Sequence, residues 1–165
     1  GRTGMIEIRG PNVFKGYWGM PEKTSDEMRD NGFFITGDLG MISEDGYVSL
    51  VGRSKDLIIS AGYNIYPKEI ELLIDCIDGV FESAVIGVPH PDLGEAVVAL
   101  IVTESGISLN LDLIMASLQK RIANFKHPKQ IIFVGEIPRN SMGKVQKNVL
   151  RGSYEEIFNK KQDKV

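Results

Sequence analysis

Three short stretches of this chain put charged side chains where they can do chemistry. Lys144 follows a glycine in Ser141-Met142-Gly143-Lys144, and Asp38 follows one in Thr36-Gly37-Asp38. Arg53, Lys55 and Asp56 crowd together just after Gly52. A lysine beside glycine is a positive charge on backbone that can approach a ligand closely. A carboxylate accepts two hydroxyls at once, and an arginine presents donors in a fixed fork. Each residue also has a plain structural reading. An aspartate after glycine closes a turn, and an isolated lysine is a solvated surface group. Lys144 is not a Walker A lysine, because the upstream glycine and the following Ser or Thr are missing.

The other reactive residue types offer little. Cys76 is the single cysteine; with no histidine near it in sequence it reads as a small residue in or beside a helix core. His90 and His127 each precede a proline, which suggests loops, and no second ligand stands at metal spacing. No metal site is expected. With no internal disulfide available, a reducing cytoplasm is the simplest compartment.

The elements that must position these groups read as follows. Met5 to Arg9 alternates like a half-buried strand, and Val13 to Trp18 is rich in β-favouring aromatics. Pro21 to Met28 suits a short helix. Asn31-Gly32 is a turn, Phe33 to Leu39 a strand, and Glu44-Asp45-Gly46 joins a hairpin ending at Val51. These strands are too few to close a core of their own. Gly52-Arg53 then reads as a turn, Leu57 to Ile59 as a β-run, and Gly62-Tyr63-Asn64 as a second turn.

Pro67 opens a helix expected to reach Ile77, with Glu69 in its first turn and Gly79 as the left-handed stop. Val80 to Val88 and Glu95 to Thr103 read as strands separated by a Pro89-His90-Pro91 loop. Asn110 caps a helix with Leu111, Ile114, Leu118, Ile122 and Phe125 on one face. Gln130 to Val134 is a strand, and a last helix runs from Val145 to about Asn159. The mixture predicts an α+β fold.

Taken together, the runs Phe34-Ile35-Thr36-Gly37-Asp38-Leu39, GRSKDLIISAGYNIYPKEIE from Gly52 to Glu71, and Pro138-Arg139-Asn140-Ser141-Met142-Gly143-Lys144 resemble the adenylate-forming acyl-CoA synthetases. The resemblance covers nearly the whole chain. It implies a β-rich end of the large N-terminal ATP- and acid-binding domain over residues 1–53. Residues 54–165 would then be a mobile C-terminal lid, with helices packed on short antiparallel sheets. Within the family, FKGYWGMPEKT, GYNIYPKEIE and PRNSMGKVQKNVLR look most like ligases that activate malonate.

The resemblance also implies roles. Asp38 would accept hydrogen bonds from the ribose hydroxyls of ATP with help from Arg53. Lys144 would be catalytic, bridging carboxylate and α-phosphate during adenylation, with Gly143 lending flexibility. Lys55 would be the hinge. Gly62 would line the pantetheine tunnel of CoA, with Tyr63 and Asn64 beside it, and it can be a turn glycine at the same time. ATP, Mg2+ and coenzyme A would be needed, with the metal ligands, phosphate loop and acid pocket in the large domain. That missing domain would be the partner of this chain, which alone is expected to be inactive. A ligase for another small or aromatic acid, a carrier-protein adenylation domain and a non-catalytic stand-alone lid remain alternatives.

Bulk properties agree with a soluble chain of one domain or a domain and a fragment: 165 residues, 42% hydrophobic and 25% charged. No apolar run nears the roughly 20 residues of a membrane span. The start, GRTGMIEIRG, has no initiating methionine or signal pattern and reads as cut from something longer. Residues 1–118 hold 8 basic against 18 acidic residues, and residues 119–165 hold 11 against 4. This asymmetry suits phosphate-bearing small molecules, with Lys120, Arg121, Lys126 and Lys129 as candidates for CoA phosphates, or simply a solvated basic face. Interleaved aromatics and nucleic-acid motifs are missing, so no DNA or RNA partner is expected.

Overall fold

The structure, a computed structural model, describes residues 1–159. It divides into two compact units, Gly1–Lys55 and the chain from Asp56 onward. The division falls two residues beyond the joint expected after residue 53.

The first unit is an antiparallel sheet of β1 (Gly4–Ile8), β2 (Phe34–Ile42) and β3 (Val48–Arg53), in the order β1-β2-β3. One helix, α1 (Pro21–Glu27), starts on a proline and lies between the first two strands in sequence. Gly40 is the one residue of this unit that is fully buried, and Met5, Ile8, Phe14, Trp18, Ile42 and Leu50 are exposed. A sheet of this size has no core of its own to hold it. The aromatic run Val13 to Trp18, expected as a strand, is irregular. Gly16 turns the chain with φ +151, the Tyr17 N–H donates to Thr24 Oγ1 at 2.9 Å, and Trp18 is wholly exposed. Gly52 and Arg53 lie in β3 instead of a turn.

The second unit is an α+β sandwich. Its sheet contains β4 (Ile58–Ser60), β5 (Tyr63–Ile65), β6 (Val80–His90), β7 (Gly94–Thr103) and β8 (Gln130–Phe133), in the order β5-β4-β7-β6. β8 joins β7 in parallel, and all other pairs are antiparallel. Alternation along β6 and β7 sends side chains to two cores. Val85, Val97, Ala99 and Ile101 meet α2 (Pro67–Ile74) and α3 (Leu111–Gln119), while Ala84, Ile86, Val88, Val98 and Leu100 meet α4 (Lys147–Tyr154). Helices of eight or nine residues are marginal alone. Burying Ile70, Ile74, Ile114 and Leu118 stabilises by about 1.5–3 kcal/mol per side chain, well above differences in helix propensity. Packing, not propensity, makes these helices.

Several ends differ from expectation. α2 stops at Ile74, so Ile77 packs from a turn and Cys76 is exposed instead of lying in a helix core. β6 runs through Pro89 and His90, because a proline whose N–H would face away from the partner does no harm on this strand. α3 keeps its Asn110 cap, with Oδ1 accepting from Asp112 N at 2.8 Å, but ends at Gln119. Ile122 still packs on the core, whereas Phe125 sits in a 3-10 turn. His127 is buried and its Nε2 lies 3.2 Å from the Ile122 carbonyl. The last helix is shorter than expected, and the tail beyond Asn159 lies outside the described residues. No helix among the described residues is long and apolar enough to cross a membrane.

Candidate functional site

In the first unit the sheet register brings Asp38 opposite Arg53 on β2 and β3. Arg53 Nε lies 2.7 Å from Asp38 Oδ1, and its Nη1 donates to the Thr36 carbonyl at 3.3 Å. Thr36 Oγ1 accepts from Asp38 N at 3.0 Å and donates to the Ile6 carbonyl at 2.8 Å. The pair is thus held by the bulge where three residues of β2 oppose Ile6, with Gly37 at φ +74. It borders an open cleft of ≈ 660 Å³ lined also by Tyr17, Lys23, Thr36 and Lys55. Tyr17 donates to Glu27, and that hydrogen bond, then desolvation and the carboxylate charge, raise the phenol above its ordinary value. Lys23 Nζ sits over the Tyr17 ring at 4.3 Å. Two carboxylates, three cations and a phenol line this concavity. Asp38 keeps one oxygen available while Arg53 fixes the other, a geometry able to accept from a diol.

Lys55 occupies the middle of a 3-10 turn, Ser54–Asp56, at the end of the first unit, and its side chain is exposed. Asp56 on the other side of the division accepts from Arg151 of α4 at 2.6 Å.

In the second unit, Lys144 lies on a closed loop between β8 and α4. Arg139 and Val145 bridge, Gln146 N donates to the Pro138 carbonyl at 2.8 Å, and Asn140 N donates to the Lys144 carbonyl at 2.9 Å. Asn140 Oδ1 accepts from Met142 N at 3.0 Å and Lys144 N at 2.9 Å. Arg139 Nη1 donates to the Gly143 carbonyl at 2.8 Å, and its other terminal nitrogen pairs with Glu82. Gly143, at φ +76, lies in this hydrogen-bonded turn. The Lys144 side chain is exposed, and among the described residues its ammonium has no ion-pair or hydrogen-bond partner. The loop backbone is hydrogen-bonded along its length, and among the described residues the ammonium is unpaired.

Gly62 is the tip of the β4–β5 hairpin. Ala61 (φ 48) and Gly62 (φ 80) form the two-residue turn with both dihedrals positive, so Tyr63 and Asn64 belong to β5 and not to the turn. Ala61 N donates to the Leu93 carbonyl at 2.8 Å, which ties the tip to the β6–β7 connection. A Cβ at Gly62 would meet nothing within 4 Å in this structure. The Tyr63 ring stacks on Phe125 at 4.5 Å.

The basic residues of the last third do not act alike. Lys126 binds both oxygens of Glu69 at 2.7 Å, while Lys120 and Arg121 line a groove with Cys76 and Leu113. Among the described residues no cluster of His, Cys, Asp and Glu is disposed to hold a metal ion.

Sequence reasoning gave no role to Arg139, Asn140, Glu82 or Glu71. Glu71 is buried, accepts from Val85 N on the outer edge of β6 at 2.9 Å, and pairs with Lys147 at 2.6 Å. The Asn140 signal was readable: an asparagine two and four residues before N–H groups it caps, in a stretch ending Gly-Lys.

Residues 69–144 match the AMP-binding enzyme C-terminal domain. This stretch is thus an AMP-binding enzyme C-terminal domain, and the proteins that the chain is similar to are acyl-CoA ligases. It is 46% identical over 151 residues to a CoA ligase of Rhodococcus jostii (strain RHA1), covering 92% of this chain and 29% of that protein. A feruloyl-CoA synthase of an Amycolatopsis species is 44% identical, with 92% and 30% covered. Among solved structures, ATP-bound MatB from Rhodopseudomonas palustris is similar at 59% identity and a TM-score of 0.89, covering 96% of this chain and 31% of that one. The chain thus spans about three tenths of the length of the proteins it matches.

Proposed function

We propose that this chain forms part of an ATP-dependent, AMP-forming acid–CoA ligase, as its family suggests. Residues up to the Lys55 turn would end the nucleotide-binding domain, and the second unit would be its lid. The observation that carries the reading is the free ammonium of Lys144 on a hydrogen-bonded loop. A positive charge carried on a hydrogen-bonded loop can stabilise negative charge building on phosphorus as pyrophosphate leaves. Asp38, steadied by Arg53, would accept from the ribose diol of ATP. Lys55 would be the hinge about which the lid turns between half-reactions. Gly62, with Tyr63 and Asn64 next to it, would line the path of the CoA thiol arm. No residue described here is assigned to Mg2+.

Carboxylate and ATP would give an acyl-adenylate and pyrophosphate; the CoA sulfur would then form the thioester bond as the acyl–phosphate bond breaks and AMP leaves. Malonate is the acid favoured by the runs at 14–24, 62–71 and 138–151 and by the likeness to MatB. Ferulate-like and fatty acids are the competitors suggested by the other relatives. The cytoplasm is the compartment this chemistry implies. The test is acid-dependent pyrophosphate release by the full-length gene product with malonate, ferulate and a long-chain fatty acid. Malonate should give the highest kcat/KM. Preference for another acid would end the malonate assignment, and no acid-dependent release would end the ligase reading.

A further inference from the structure

The peptide unit between Gly143 and Lys144 is gripped from both ends by side chains. Its carbonyl accepts from Arg139 Nη1 at 2.8 Å and its N–H donates to Asn140 Oδ1 at 2.9 Å. The next carbonyl, that of Lys144 itself, accepts from Asn140 N at 2.9 Å. Arg139 is braced in turn by Glu82, at the bulge that starts β6, so the grip reaches back to the central sheet. Nothing comparable holds the lysine side chain. Backbone direction is therefore the main control on where its ammonium can reach.

We propose that Arg139 and Asn140, with Glu82 behind Arg139, are positioning residues that aim Lys144 at the reacting phosphate. This rests on the reading of Lys144 as the adenylation lysine. The guanidinium suits the task because its planar fork bonds the Gly143 carbonyl and the Glu82 carboxylate at once. A lysine at 139 would carry the same charge but no fork. Asn140 suits it because one amide oxygen accepts from two successive-turn N–H groups while its own backbone closes the loop. Misplacing a catalytic group by about 1 Å costs up to about 10²-fold in rate.

The experiment uses the full-length enzyme with Arg139→Ala, Arg139→Lys, Asn140→Ala and Lys144→Ala, each first checked by thermal melting. Adenylation is read as acid-dependent pyrophosphate release, and thioester formation is read from supplied acyl-adenylate and CoA. Arg139→Ala and Asn140→Ala should lose about tenfold to 10²-fold in adenylation kcat, with KM for ATP and the thioester half-reaction unchanged. Arg139→Lys should stay impaired. Full recovery by lysine would show that only charge at 139 matters and would overturn the proposal. So would an equal fall in both half-reactions, or unimpaired adenylation in a well-folded Asn140→Ala enzyme. If Lys144→Ala itself spares adenylation, the underlying role of Lys144 fails instead.

Discussion

Asp38 and Arg53 stand directly opposite each other on adjacent strands, with Arg53 Nε 2.7 Å from Asp38 Oδ1. The arginine spends its fork on this carboxylate and on the Thr36 carbonyl, so it orients Asp38 within its own sheet. Both side chains are partly exposed, so the pair adds little stability by itself. Its value lies in holding one acceptor still.

Asp38→Asn in the full-length enzyme should therefore fold normally and raise KM for ATP roughly tenfold or more, as the loss of charge-assisted hydrogen bonds would. Initial-rate kinetics at varied ATP check this. An unchanged KM for ATP would remove Asp38 from the nucleotide site.

Glu71 is a different case, because its side chain is only 8% exposed and that of its partner Lys147 only 15%. Removing one member of a buried pair costs about 3–5 kcal/mol, since the other charge stays buried. Glu71→Ala also strips the Val85 N–H of its acceptor and uncovers the edge of β6. A large drop in melting temperature is expected, and Lys147→Met should also destabilise, because it leaves the Glu71 carboxylate buried without this partner. Equal melting of Glu71→Ala and the parent would contradict this reading of the core.

Local signals were legible in the sequence and long-range ones were not. Pro67 at a helix start, the Asn110 cap and the turns at Gly32 and Gly46 act on neighbours within a few residues, and the structure contains them as read, whereas Gly52 lies in a strand and the turn at Gly62 is shifted by one residue. Val13 to Trp18 has strand-like side chains, yet Thr24 takes the Tyr17 N–H and breaks any ladder. The Glu71–Lys147 and Arg139–Glu82 pairs join residues 76 and 57 apart, which no window of sequence reveals. At the candidate site the motif positions could be named, but the side-chain grip on the Gly143–Lys144 peptide depends on Arg139 folding back onto Glu82, which no local pattern shows.

Gly62 has positive φ, so any side chain there strains the turn whatever the space around it. Gly62→Leu should abolish thioester formation while acid-dependent pyrophosphate release largely survives. A melting curve separates obstruction from unfolding, which would damage both half-reactions. A folded variant that still makes thioester at the parent rate would end the tunnel assignment.

Lys55→Pro should slow turning of the lid, because proline holds φ near −65°, a value compatible with the 3-10 turn seen at 54–56. One half-reaction should suffer far more than the other. Equal retention of both would place the joint elsewhere.

The central claim is that Lys144 serves adenylation and not thioester formation. Its most direct test is Lys144→Ala in the full-length enzyme, with the two half-reactions measured separately. Acid-dependent pyrophosphate release should fall about 10²–10³-fold, the usual cost of one such electrostatic contact. Thioester formation from supplied acyl-adenylate should keep the parent rate. An equal loss in both half-reactions, or no loss in the first, would contradict the account.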